Sequence, residues 1–386
     1  MNPIDADTPH PTVQWLDDDG ASQQADWRSL AGHPPPAKVV LAGDELGADA
    51  AYRLLAAGTG VLWLGDYQNA RHLLLALGRR LDKRQTKAGA TAATSLKDAF
   101  FTQRAAQAER ARILGGVLLP FDADHGVPLR RAPEVRAAGR QAHGPVAAHY
   151  VQSLRELLGL VGAFEWRRKG VHIPALGAAI HPHHGVYSPV RGEYVDLVAQ
   201  APLPAAAQAH GAFDIGTGTG VLAAVLARRG LAVVATDLSP TALACAADNA
   251  RRLGLPRQIV LKSADLFPPG QAGVVVCNPP WVPAPASSPL EAAVYDPDSR
   301  MLRGFLAGLS AHLAPGGEGW LILSDLAEHL GLRSRDELLG WISAAGLRVL
   351  GRLDAKPHHA RAADASDPLH AARAAEVTSL WRLGDC

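Results

Sequence analysis

From Lys38 onward, short apolar runs alternate with stretches in which apolar residues recur at helical spacing. Val39-Val40-Leu41-Ala42 and Val61-Leu62-Trp63-Leu64 predict two strands, and Ala48 to Ala57 and Gln68 to Leu81 predict two helices. Strands alternating with helices imply a small parallel α/β unit. A helix is expected over 98–114, loop over 116–143, an amphipathic helix over 147–161, and one or two short strands with turns over 172–187. The alternation then becomes sustained. Strands are predicted to end at Gly211-Ala212-Phe213 and to span Leu231–Thr236, Ile259–Lys262, Gly273–Val276, Gly319–Ser324, Leu347–Leu353 and Val377–Leu383. Helices are predicted over Val221–Arg229, Met301–His312 and Arg335–Ala345.

This pattern places Asp214-Ile215-Gly216-Thr217-Gly218-Thr219-Gly220 on a strand-to-helix turn. Such a turn favours residues without a Cβ, because the backbone bends sharply and a ligand comes close. The spacing is G-x-G-x-G, which differs from the G-x-G-x-x-G of dinucleotide binders. Asp237 ends the next predicted strand, 23 residues after Asp214, where doubly wound folds carry an acid for ribose hydroxyls. Asp265 follows the third strand, and Asn278-Pro279-Pro280-Trp281 follows the fourth. Consecutive prolines stiffen that last turn. Trp281 offers a planar face for stacking, so Trp281→Ala is expected to raise KM and Trp281→Phe to be milder.

The glycine turn, Asp237-Leu238-Ser239-Pro240 through Asn249-Ala250, Ala264-Asp265-Leu266-Phe267 and the Asn278–Trp281 tetrad together resemble the class I S-adenosylmethionine-dependent methyltransferases. The closer resemblance is to the amino- and amide-nitrogen subgroup with its N/D-P-P-Y/F/W signature, over roughly residues 185–386. The fold this implies is α/β, a doubly wound seven-stranded Rossmann-like methyltransferase domain preceded by a smaller α/β N-terminal domain. The cofactor implied is S-adenosyl-L-methionine. By the same resemblance, Gly216, Thr217, Gly218 and Gly220 let the backbone approach it, and Asp214 serves its amino group. Asp237 then holds the ribose, Asp265 faces the adenine amino group, and Leu238 and Leu266 pack on the ring. Asn278 and Pro279 would accept the two N–H groups of the target nitrogen, with Pro280 and Trp281 completing the catalytic tetrad. Tyr187 and Arg191 lie where relatives close a segment over the cofactor's methionine end. That segment reads P-R-P-E-T in release-factor glutamine methyltransferases and Ser188-Pro189-Val190-Arg191-Gly192-Glu193 here. Leu41-Ala42-Gly43-Asp44 begins about fifty residues that resemble the degenerate N-terminal domain of ribosomal RNA guanine-N2 methyltransferases.

Composition adds boundaries and partners. Residues 1–36 are acidic and end in three prolines, which suggests a partly disordered leader with Asp17, Asp18 and Asp19 solvated. Residues 37–165 then form the N-terminal domain and 166–386 the methyltransferase domain. Net charge is only +1, yet residues 71–170 hold eighteen basic against eight acidic side chains. Such a segment suits a polyanion, and Arg130, Arg131, Arg167 and Arg168 are candidate phosphate contacts. Three cysteines without a C-x-x-C pair argue against zinc and disulfides and fit a reducing cytosol. His181, His183 and His184 lack a carboxylate or Cys at ligand spacing, so no metal is expected. No apolar run is long enough for a membrane span, and a cytoplasmic enzyme is expected. The first expectation is methylation of a nucleobase amino group in RNA. The alternatives are a protein glutamine amide and a small-molecule nitrogen. A non-catalytic binding module fits the intact tetrad poorly.

Overall fold

A computed structural model describes residues 11–88, 95–189, 192–286, 288, 290–357, 364 and 367–386. The chain packs as two units, residues 1–92 with 102–165 and residues 93–101 with 166–386.

The first unit holds a six-stranded sheet of β1 Thr12–Leu16, β2 Ser22–Trp27, β3 Lys38–Ala42, β4 Thr59–Trp63, β5 Val117–Phe121 and β6 Tyr150–Ser153, in the order β1-β2-β6-β5-β4-β3. The parallel core β3-β4-β5 matches the expected α/β unit, with helices at Ala48–Ala56 and Tyr67–Ala88. Three expectations need correction. The leader is folded from residue 11, because Val13, Ala25 and Trp27 bury against Val39, Leu62, Leu118 and Val151. Asp17 closes that hairpin: its carboxylate accepts from the Ala21 N–H at 2.8 Å and from the Gln23 amide at 2.8 Å. The loop expected over 116–143 contains β5 and the helix Arg136–His143. β5 is apolar throughout because it lies between two strands, so it shows no alternation. The helix expected over 147–161 begins only at Leu154, since Tyr150–Ser153 pair with β5 as β6.

The second unit carries a short hairpin, β7 Val171–Ile173 with β8 Ala178–Ile180, and a seven-stranded sheet. The sheet comprises β9 Ala212–Ile215, β10 Val233–Asp237, β11 Ile259–Ser263, β12 Ala272–Cys277, β13 Leu313–Ser324, β14 Leu347–Ala355 and β15 Thr378–Asp385. Their order is β11-β10-β9-β12-β13-β15-β14, parallel as far as β13, with β15 antiparallel to both its neighbours. Both faces are covered. Val274 and Val276 enter one core with Ala235, Trp320 and Ile322, while Val275 and Cys277 enter the other with Phe213, Leu321 and Phe305. Strand order reverses between β9 and β12. In open α/β sheets this is where the crevice beyond the C-terminal strand ends binds ligands.

Candidate active site

The glycine turn leaves β9 with Gly216, Gly218 and Gly220 at φ of 72°, 53° and 79°, which L-residues with a Cβ adopt at a cost. At Gly216 a Cβ would stand 2.5 Å from the Met301 methyl, and at Gly220 it would stand 3.0 Å from Ala246. At Gly218 it would meet nothing within 4 Å, so the turn offers bare backbone with room above it. Asp214 is 1% exposed and holds the turn from beneath. One of its oxygens accepts from the Thr217 hydroxyl at 2.6 Å and from the Ala223 N–H at 3.0 Å. The second bond satisfies a free amide in the first turn of the helix Val221–Arg228. Burial pushes the Asp214 carboxyl up to about 6 against those hydrogen bonds.

Asp237, at the end of β10, accepts from the Gly218 N–H at 2.9 Å and the Ser239 N–H at 2.8 Å. Each carboxylate oxygen keeps a further lone pair for a ligand hydroxyl. Beside it Leu238 is 60% exposed, an apolar side chain with no core to join. Thr236 ties the region together: its carbonyl accepts from the Thr217 N–H and its hydroxyl donates to the Leu266 carbonyl at 2.6 Å. Leu266 sits at φ 71°. Asp265 is exposed and pairs with Arg300 at 3.1 Å.

Cys277 pairs with Ile215 across β12 and β9, so Asn278 and Gly216 leave adjacent strands at the same level. This register brings the tetrad to the glycine turn. Asn278 is half-buried, and its side-chain carbonyl accepts from the Trp281 indole N–H at 2.8 Å. Trp281 is half-buried and packs against apolar clusters on both faces of the sheet. Past the tetrad, the chain forms short helical turns at Glu291–Ala293 and Pro297–Ser299. The Asp296 N–H donates to the Val282 carbonyl, and its side chain accepts from the Met301 N–H at 2.8 Å. Burial pushes the Cys277 thiol well above its ordinary range and the Cys245 thiol up to about 11, which suits core residues.

Sequence reasoning missed the work of Asn249, which is 1% exposed. Its amide donates to the Thr219 carbonyl and its oxygen accepts from the His181 N–H, joining the glycine turn to the segment that precedes Tyr187. Its signals were its place at the end of the run that begins at Asp237 and its polarity on the buried face of the helix Pro240–Arg252. Tyr187 is exposed, and Arg191 lies outside the described residues.

Three of the four arginines expected to meet phosphate pair with carboxylates. Arg130 and Arg131 both pair with the buried Asp66, at 2.9 and 2.7 Å. Arg167 faces Asp248 at 3.4 Å, in a cluster shared with His183, Arg251 and Arg252. Arg168 is exposed in the last turn of its helix. Among the described residues, no group of His, Cys, Asp or Glu could hold a metal, and no helix is long and apolar enough to cross a membrane. One cavity of about 370 Å³ opens by His210, Arg257 and Gln258 at the opposite ends of β9 and β10, away from the glycine turn.

A family model for the methyltransferase small domain matches residues 177–334, and this part of the chain is a class I S-adenosylmethionine-dependent methyltransferase domain. S-adenosylmethionine is accordingly its cofactor, and the open backbone at Gly218, the spare lone pairs of Asp237 and the uncovered Leu238 fit it. A release factor glutamine methyltransferase of Cereibacter sphaeroides is 35% identical over 161 residues, 37% of this chain and 55% of the relative. A ribosomal protein L11 methyltransferase of Rhizobium etli is 33% identical over 145 residues, 37% of this chain and 43% of the relative. The chain thus spans about half the length of the curated relatives it matches. Among solved structures, a ribosomal protein L11 methylase from Lactobacillus delbrueckii subsp. bulgaricus aligns at a TM-score of 0.33 and 16% identity, over 50% of this chain and 76% of that one.

Proposed function

We propose that this protein methylates a side-chain amide nitrogen of glutamine in a protein substrate. The observation that carries this reading is the β9–β12 register, which sets the Asn278 carboxamide beside the glycine turn. When bound, S-adenosylmethionine supplies a methyl group on a sulfonium whose departure needs no acid. What the chain must supply is an aligned nitrogen about 3 Å from that methyl. An amide nitrogen is a poor nucleophile because its lone pair is delocalised. Asn278 Oδ1 and the Pro279 carbonyl are suited to accept its two N–H groups and hold its plane. With Asn278 and Pro279 holding the amide plane, the nitrogen lone pair would take the methyl, the electrons of the broken S–C bond would stay with the departing thioether, and an N–H proton would leave to solvent. Acceptors fixed in advance hold the positive nitrogen of the transition state more strongly than the neutral ground state.

Two things favour a protein over RNA. The curated relatives named above are, by their names, methyltransferases of a release factor glutamine and of ribosomal protein L11. Five arginines of the basic segment are also paired with carboxylates, Arg110 with Asp82, Arg112 with Glu109, Arg136 with Asp124, and Arg130 and Arg131 with Asp66. The test is to incubate the protein with methyl-labelled cofactor and cell extract, then separate macromolecules. Label in protein supports the reading, and label confined to RNA contradicts it.

A further inference from the structure

Arg333 lies in the turn after the helix Leu326–His329, beyond the C-terminal end of β13. β13 is the strand next to β12, with Cys277 level with Leu321, so this turn stands on the same edge of the sheet as Asn278. Arg333 is 4% exposed, and its Nε and Nη2 are both buried without a hydrogen-bond acceptor. Arg229 in the same unit, by contrast, gives two bonds to the Val198 and Ala201 carbonyls at 2.7 and 2.6 Å.

The carboxylates whose charge reaches Arg333 are Glu328, Glu337 and Asp296, and each is engaged elsewhere. Glu328 takes Arg335 at 2.8 Å, Glu337 closes the capping box with Ser334, and Asp296 accepts the Met301 and Leu302 amides. Arg335 adds a like charge nearby, and burial lowers the Arg333 guanidinium below its ordinary range; arginine stays charged in proteins. The neighbours in sequence, Leu330 and Leu332, belong to an apolar cluster with Val282, Trp281 and Tyr295. A buried cation with two donors left without acceptors beside such a cluster is costly. The two free donors, moreover, form one edge of the guanidinium fork. That edge presents parallel N–H bonds to both oxygens of a carboxylate. Asp296 links this charge to the reaction centre, since its N–H bonds to the residue following Trp281.

We propose that Arg333 binds a carboxylate on the methyl acceptor, so that the enzyme selects a glutamine accompanied by an acid. This rests on the amide-methylation reading and deepens it. The carboxylate has two possible sources, an acidic side chain near the glutamine or a free α-carboxylate, and the probes below separate them.

The full chain loaded with S-adenosylhomocysteine is titrated calorimetrically with two pairs of probes. One pair is a blocked pentapeptide with glutamine beside glutamate and its twin with methionine in place of glutamate. The other is N-acetylglutamine and its α-amide. In one pair the carboxylate form binds at least about tenfold more tightly than its twin. Arg333→Met abolishes that preference and Arg333→Lys keeps part of it, while S-adenosylhomocysteine affinity stays within about twofold. Methionine in this place removes a buried charge and keeps apolar bulk, so folding is expected to survive, and melting curves check it. The proposal is overturned if no probe binds, if neither pair shows a preference, or if folded Arg333→Met retains one. Methyl transfer is scored separately. A preference without transfer to the amide would sink the amide reading alone, and transfer without a preference would sink the role of Arg333 alone.

Discussion

The indole N–H of Trp281 donates to Asn278 Oδ1 at 2.8 Å. An indole nitrogen only donates, so the partner atom must be the carboxamide oxygen. Trp281 therefore orients the Asn278 carboxamide that the proposed reaction uses, and its oxygen keeps a second lone pair for another donor.

From sequence alone, Trp281→Phe is expected to be mild, because a planar face survives. The structure changes that expectation. Phenylalanine keeps the stacking face and loses the donor, so Asn278 is free to rotate. Removing one such bond costs about 1 kcal/mol, and kcat is expected to fall about five- to tenfold with KM nearly unchanged. Steady-state kinetics on the protein acceptor reads the split. A higher KM at unaltered kcat would mean that Trp281 acts by stacking alone.

Asp214 makes a pH-dependent contribution with an unusual sign. Its folded-state value is raised from 3.8 to about 6, so between those values the folded protein binds more protons than the unfolded chain. The contribution is fully present below about pH 4, declines as pH rises towards about 6, and is flat above. At ~1.4 kcal/mol per pH unit the difference is on the order of 3 kcal/mol. Asp214→Asn removes the titration and keeps an oxygen for Thr217 and Ala223. Denaturant melts at about pH 4.5 and pH 7 should show the variant gaining on the native protein as pH rises. A gap that does not move with pH would contradict the buried, raised carboxyl.

Local chemistry was legible in the sequence where a backbone need and a side-chain need coincide in a short stretch. Gly216 to Gly220, Asp237 at a strand end and Asn278 to Trp281 are of this kind, and the structure brings the turn and the tetrad to one edge of the sheet. What escaped depended on partners distant in sequence. Nothing in Arg130-Arg131 announces Asp66, more than sixty residues earlier, and nothing near Arg333 announces Asp296. Val13 and Trp27 sit among acidic and glutamine residues, and only burial against Leu62 and Leu118 makes their hairpin a stable part of the sheet. Tyr150–Ser153 share apolar spacing with the helix that follows, and only pairing with β5 makes them a strand.

The arginine pairing bears on nucleic-acid binding. A protein neutralising several phosphates loses affinity steeply with salt, whereas Arg130, Arg131 and Arg167 are occupied by Asp66 and Asp248. Changing Arg130, Arg131, Arg167 and Arg168 together to Gln should leave the salt dependence of RNA binding unaltered and lower the melting temperature. Filter binding across a salt series checks the first and calorimetry the second. A flattened salt slope in a variant of unchanged stability would restore these side chains as phosphate contacts.

The most direct test of the account is the chemical form of the transferred methyl. Protein substrate labelled by the native enzyme is hydrolysed in acid, which releases an amide-bound methyl as methylamine. Labelled methylamine is expected from the protein fraction. Folded Asn278→Ala should lose about 10²–10³ in kcat, the scale of removing one preorganised transition-state hydrogen bond, with S-adenosylmethionine affinity little changed. Label released as methanol, label found on RNA bases, or full turnover by Asn278→Ala would contradict methylation of a glutamine amide at this tetrad.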